Sequence, residues 1–291
     1  MSQTPSLMGL ATLRDRALDA MAAHPLGAFG AALVALVAAI GLFAPWLAPF
    51  DPDMQFSGMR LAAPGTGGHL LGADELSRDI LSRVIHGTRV SLLAGVASVS
   101  AGAAIGILLG MVSATFGNKV DALIMRACDV ILAYPGILLG IVAVAVLGPG
   151  LVQVCIAIAF LNIPVFARLM RSAVLKERSL EYVKAAQVQG ASMGRILFYH
   201  IMPNSIGVVI TQISAAVGHA VLLEASLSFL GLGVQAPTAS LGSMLSKSRD
   251  YLGAAPFYSI APGLVLFVLV LGLNFFTDAL QKSLNPTSKQ R

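Results

Sequence analysis

Six apolar runs, separated by short charged or Gly- and Pro-rich segments, leave this chain few ways to fold. They fall at about residues 27–49, 88–115, 129–147, 151–169, 206–230 and 257–277. About 20 predominantly apolar residues in a helix cross the ~30 Å hydrocarbon core of a bilayer. A helix also satisfies its own backbone hydrogen bonds there, where no water can. The sequence therefore predicts an all-α polytopic membrane protein with six transmembrane helices. Composition agrees, since 56% of the residues are hydrophobic and 11% are charged, where soluble domains carry about 25% charged residues. The first run is longer than the 7–15-residue apolar core of a cleaved signal peptide and reads as an uncleaved span.

The polar segments set the boundaries. Residues 1–26 form a tail in which Leu7, Leu10, Leu13, Leu18 and Met21 recur at helical spacing, as an amphipathic surface helix or a loosely ordered arm. After the first span, 27–49, residues 50–87 form an outer loop. An interfacial helix is expected over 76–90, with Leu76, Ile80, Val84 and Ile85 on one face, Arg78, Asp79, Arg83 and Arg89 on the other, and Asp74 as its cap. Residues 88–280 hold the remaining spans and an inner loop at 171–205, and 281–291 form a second tail. Ser98, Gly102, Gly106 and Gly110 recur every four residues, a seam that lets a neighbouring helix approach closely. Pro135 lies inside the third run, and Gly148-Pro149-Gly150 makes a tight turn.

Six spans put both termini on one side. With the N-terminus inside, 13 of the 19 Lys and Arg residues lie in inner segments and 6 in outer ones. Positive charge collects on the cytoplasmic side of membrane proteins, which favours N-in and C-in. The formal net charge of +5 then belongs to inner loops and not to a nucleic-acid surface. Inside lies Glu181–Asn204, EYVKAAQVQGASMGRILFYHIMPN, a charged, helix-prone stretch between the fourth and fifth spans. Ala185, Ala186 and Gly190 give it a small-residue surface against which another protein can press, and Pro203 stops or bends the backbone where the next span begins.

Motifs for chemistry are absent. The dipeptide Gly-Lys never occurs, so the chain holds no P-loop. Cys128 and Cys155 have no paired spacing, no Cys/His cluster offers a metal site, and Gly231-Leu232-Gly233 carries no nucleotide signal. Within the spans, Gln212, His219 and Ser226 are spaced by seven and share one face of the fifth, as the border of a water-filled path or as helix-packing groups. Glu224, in the same span, either sits at the interface, pairs with an arginine of the outer helix, or serves a pathway. One Glu and one His are thin material for a proton relay, so uphill transport would draw on a separate energy-supplying subunit.

The inner stretch resembles the EAA loop of binding-protein-dependent ABC importer permeases, whose pattern is E-A-A, three residues, Gly, nine residues, then I-x-L-P. Ala185, Ala186, Gly190 and Pro203 match, while Lys184, His200 and Met202 depart from the first Glu, the Ile and the Leu. Closer still is the dipeptide, oligopeptide and nickel permease group. That likeness rests on Glu181-Tyr182 and Gly190-Ala191-Ser192, on His69 to Arg83 with Ser77 in place of Gly, and on Glu224 to Gly233. Leu241 stands where a Trp usually precedes Gly242. The resemblance implies the type I ABC importer transmembrane fold and a C-type permease subunit in the bacterial inner membrane. It implies a heterodimer with a sister permease, two ATP-binding subunits that hold ATP and Mg²⁺, and a periplasmic or lipid-anchored solute-binding protein. No cofactor or metal is expected on this chain, and no catalytic residue. Glu181, Tyr182, Ala185, Ala186, Gly190 and Pro203 would contact the ATPase. Di- and oligopeptides are the implied solutes. Nickel or another small solute, and an ion-coupled carrier acting alone, are the alternatives.

Overall fold

The computed structural model describes residues 25–284; most of the 1–26 tail and the last residues of the 281–291 tail lie outside this range. Among the described residues no strand forms, only an isolated bridge between Ala73 and Asp79. The helices are α1 (Pro25–Leu42), α2 (Ile80–Phe116), α3 (Asn118–Leu132), α4 (Gly136–Leu147), α5 (Leu151–Arg178), α6 (Glu181–Val188), α7 (Met202–Phe229), α8 (Leu241–Ser248) and α9 (Pro256–Leu284). Single α turns at Ala44–Leu47 and Met193–Ile196, a π stretch at Leu197–Ile201 and 3₁₀ turns at Thr66–Gly68 and Arg249–Tyr251 are the other helical pieces. α1, α2, α5, α9 and the rod Met193–Phe229 that contains α7 are each long and apolar enough to span a bilayer. The sixth crossing exists only if α3 and α4 count together, because they meet at 94°. Pro135 causes the bend: it has no N–H to continue the ladder and disfavours helix at Tyr134. α4 alone, with 12 residues, extends about 18 Å, short of the bilayer core.

The expected interfacial helix over 76–90 is not a separate element. It is the first part of α2, 37 residues in one piece, or about 55 Å. Asp79 caps it by accepting a hydrogen bond from the Ser82 N–H at 2.7 Å. The boundary drawn at residue 87 falls on Gly87, which stays helical and packs against the backbone of Ser240 and Leu241. Arg78 and Arg83 do not face solvent. Both are buried, Arg78 against Asp74 at 2.7 Å and Arg83 against Asp53 at 2.9 Å and the Pro52 carbonyl. His69 pairs with Asp79 at 2.9 Å beside them. Charges interspersed with apolar residues mark a solvated face only when no loop folds over them, and here residues 50–79 do.

The glycine seam packs as expected. A β-carbon at Gly102 or Gly106 would lie 2.5 Å from the carbonyl oxygen of Ala159 or Ile163 on α5. Gly30 on α1 packs as closely on α9, and Gly95 on α2 meets Val221 of α7. Buried side chains form three clusters along the bundle. The middle one includes Val99, Ile158, Phe166, Val221 and Leu269. One end joins Ile80, Leu241, Met244 and Tyr258, and the other joins Met111, Met170, Val174, Val183, Ile196 and Ile201. This last end carries α6.

Candidate coupling site

α5 does not stop where its apolar run ends. It continues to Arg178, carrying the bundle about two turns further. Two arginines hold this extension. The Arg171 guanidinium donates to both Asp121 oxygens at 2.5 and 2.6 Å, and Arg178 donates to the Ala114 carbonyl near the end of α2 at 2.6 Å. Ser179 and Leu180 turn the chain, and α6 begins with Glu181 in its first turn, where a carboxylate suits the helix dipole.

α6 has two faces. Val183 is fully buried among Met111, Met170, Val174 and Ile201, with Tyr182 and Ala186 half-buried beside it. Glu181, Lys184, Ala185 and Val188 face outward, and Val188 is 89% exposed. The helix then closes in a Schellman arrangement. The Gly190 N–H donates to the Gln187 carbonyl and the Ala191 N–H to the Ala186 carbonyl, each at 3.0 Å, with Gly190 at φ +82°. No atom lies within 4 Å of where a Gly190 β-carbon would stand. Gly190 is thus required by backbone conformation and not by close packing within the chain.

Tyr182 ties the site together. Its hydroxyl donates to the Glu177 carboxylate at the end of α5 and accepts from Asn204 Nδ2 at 3.0 Å at the start of α7. Its ring lies beside His200, with centroids 6.3 Å apart. Burial, with the neighbouring Glu177, pushes the phenol up to about 12, so it stays protonated at neutral pH. Ser192 caps the next turn at the Arg195 N–H. A five-residue π stretch, Leu197–Ile201, then runs directly into α7, where Pro203 sits at the first turn. The wider π turn gives room for the proline ring, which would otherwise press on the carbonyl of the preceding turn. Pro203 does not stop the chain: Met193–Phe229 counts as one span, with the π stretch just before the proline.

The six residues assigned to this site therefore divide. Glu181, Ala185 and Gly190 are presented outward, Tyr182 and Ala186 hold α6 to the bundle, and Pro203 lies apart from α6 in the first turn of α7. Sequence reasoning missed Glu177 and Asn204, whose polar side chains beside Tyr182 become partners only once α5 and α7 are seen to converge. It also missed Val188, Phe198 and Tyr199, exposed apolar side chains on or next to the same end.

Gln212, His219 and Glu224 do not form one site. Gln212 is half-buried and His219 exposed. Glu224 is fully buried and pairs with no arginine of the outer helix among the described residues. Its two oxygens accept hydrogen bonds from Ser91 and Ser228, each at 2.7 Å. The same serines accept from the Leu241 and Val234 N–H groups, at 3.4 and 3.2 Å, so the carboxylate joins α2, α7 and the start of α8. Ser228, one turn after Glu224, was the signal available in the sequence. No group of three or more His, Cys, Asp or Glu that could hold a metal occurs among the described residues.

An all-helical bundle with several helices long and apolar enough to cross a membrane matches what comparison finds. Residues 106–290 match the family of binding-protein-dependent transport system inner membrane components. The chain belongs to this family. Residues 12–64 also match the N-terminal TM domain of oligopeptide transport permease C. The permease is 43% identical to the di/tripeptide transport system permease protein DppC of Pseudomonas aeruginosa, over 92% of this chain and 90% of the relative. It is 41% identical to the dipeptide permease DppC of Haemophilus influenzae, over 90% of each chain. It is 42% identical to the glutathione permease GsiD of Pectobacterium atrosepticum, over 88% of this chain and 85% of the relative. It is a multi-pass membrane transport subunit.

Proposed function

We propose that the permease is the C-type membrane subunit of an ATP-driven importer of di- and oligopeptides in the bacterial inner membrane. A sister permease completes the translocation path, a binding protein delivers solute from outside, and two ATPase subunits hold the ATP and Mg²⁺. The observation that carries this reading is α6. It offers Glu181, Ala185 and Val188 to a partner while its other face is fixed to α5 and α7 through Val183 and the Tyr182 hydroxyl. An N-in, C-in orientation puts this helix in the cytoplasm, where the ATPases work. ATP-driven closure of those subunits moves α6, and α5 and α7 move with it between inward-open and outward-open arrangements.

The peptide assignment draws on the relatives' names, which specify dipeptides, tripeptides and glutathione. All are amide-linked solutes. Purification of the tagged permease from its native membrane should bring down the sister permease and ATPase in fixed ratio. Vesicles holding that complex, with binding protein outside, should take up dialanine only when ATP is present. A permease that purifies alone and accumulates solute without ATP would contradict this reading and favour an ion-coupled carrier.

A further inference from the structure

Gly218 on α7 meets α9 at Leu273, whose Cβ lies 3.7 Å from where a Gly218 β-carbon would stand. The two helices run antiparallel, connected across the end opposite α6. One residue past this contact, each helix has turned by about 100°. Because the chain directions oppose, the two turns carry His219 and Asn274 to the same side of the pair and the same level. Both are exposed. Gln212, two helical turns before His219, shares its direction and is half-buried. The level lies about 15 Å in from the Phe229 end of α7, so it is deep in the span. Neighbours occupy the other sides: α1 packs on α9 at Gly272 and α2 on α7 at Val221. No hydrogen bond joins the side chains of Gln212, His219 or Asn274 to another described residue. Towards the outer end the same side opens into a 330 Å³ groove lined by Ile137, Leu222, Phe229, Leu230, Leu245 and Leu266.

Two carboxamides and an imidazole without partners are costly against hydrocarbon. We propose that this side of α7 and α9 is the wall of a water-filled translocation path. Gln212, His219 and Asn274 hydrogen-bond the amide groups of a passing short peptide, and the groove above them takes its apolar side chains. Carboxamides and imidazole offer both donors and acceptors, which match a peptide group whatever its side chains. Glu224 is excluded from the wall, since it is buried and both its oxygens are bonded. The proposal rests on the peptide-importer reading above for its solute.

The test uses the complete complex in vesicles. Cysteine is placed at His219, at Asn274 and at Phe29, an exposed position on α1 taken as lipid-facing. The parent with its native Cys128 and Cys155 sets the baseline. A charged, membrane-impermeant thiol reagent should label H219C and N274C several-fold above F29C and the parent. Saturating dialanine should slow that labelling, and the labelled complexes should lose most dialanine uptake. Labelling of both positions in the isolated chain but not in the complex overturns the proposal, because the face is then a contact with the sister subunit. So does labelling no faster than the parent in either. As an arm free of cysteine, Asn274→Leu keeps size and should cut dialanine uptake several-fold with assembly unchanged; undiminished uptake overturns the proposal. ATP-dependent uptake by the unmodified complex tests the importer reading separately. If that uptake is normal while the cysteines stay silent, only the wall is lost.

Discussion

Glu224 shows what a charge-bearing residue does when the fold surrounds it. With Ser91 and Ser228 at 2.7 Å, the side chain holds two helices and the loop that follows α7. Glu224→Ala strips both serines of their acceptor and leaves a polar void, a loss of about 1–3 kcal/mol for each buried group left unsatisfied. Glu224→Gln keeps the shape, and the serine hydroxyls can turn to accept from its NH₂. Thermal unfolding in detergent, followed by size-exclusion, should place Ala well below Gln and Gln modestly below the parent, with solute preference unchanged in Gln. Gly190 is a residue of a different kind. Its φ of +82° strains any L side chain, so Gly190→Ala should cost about 1 kcal/mol and Gly190→Asn less, since Asn tolerates the left-handed region. If the two melt alike, the turn has relaxed. The sequence pointed to Gly190 through its spacing, as a partner contact; its backbone angle adds a second reason for glycine there that spacing alone does not reveal.

Among elements, those written in periodicity were legible and those decided by a distant loop were not. The seam of Ser98, Gly102, Gly106 and Gly110 stood out because a four-residue repeat of small side chains puts one flat stripe on a helix. It meets α5 as that stripe requires. The full length of α2 was not legible, because Arg78 and Arg83 looked solvated until Asp53, Asp74 and the Pro237 carbonyl closed around them. Pro135 was visible, but whether a proline kinks a span or folds it by 94° depends on packing that the local sequence does not carry. The seam makes a sharp prediction. Gly106→Leu drives a side chain into the Ile163 carbonyl and the Phe166 Cβ, and backbone cannot yield as a flexible side-chain end can. Overpacking of this kind costs about 1–3 kcal/mol or more. Membrane yield and thermal stability should fall sharply, while Gly194→Ala, with nothing within 4 Å, should match the parent in both.

For the whole molecule, coupling requires two separable things, a surface that grips the ATPase and a frame that carries its motion. In the coupling proposed above, the outward side of α6 is the first and the Tyr182 hydroxyl, which bonds Glu177 and Asn204, is the second. They should fail differently. Ala185→Trp changes only an exposed position, so ATPase should no longer co-purify while the permease keeps its melting temperature. Tyr182→Phe leaves that surface intact and cuts both hydrogen bonds, a loss of about 1–3 kcal/mol. ATPase should then co-purify normally, but solute-stimulated hydrolysis and uptake should drop together. The raised phenol pKa gives the same frame a pH signature. The folded state holds the Tyr182 proton more tightly than the unfolded chain, so its contribution is complete below about 10 and is lost as pH rises through about 12. Coupling in the parent should therefore hold across pH 7–9 as far as this group is concerned. Equal loss of ATPase in both variants would mean that Tyr182 shapes the gripping surface itself. α6 would then drive Met193–Phe229 only through the turn at residues 189–192 that joins them.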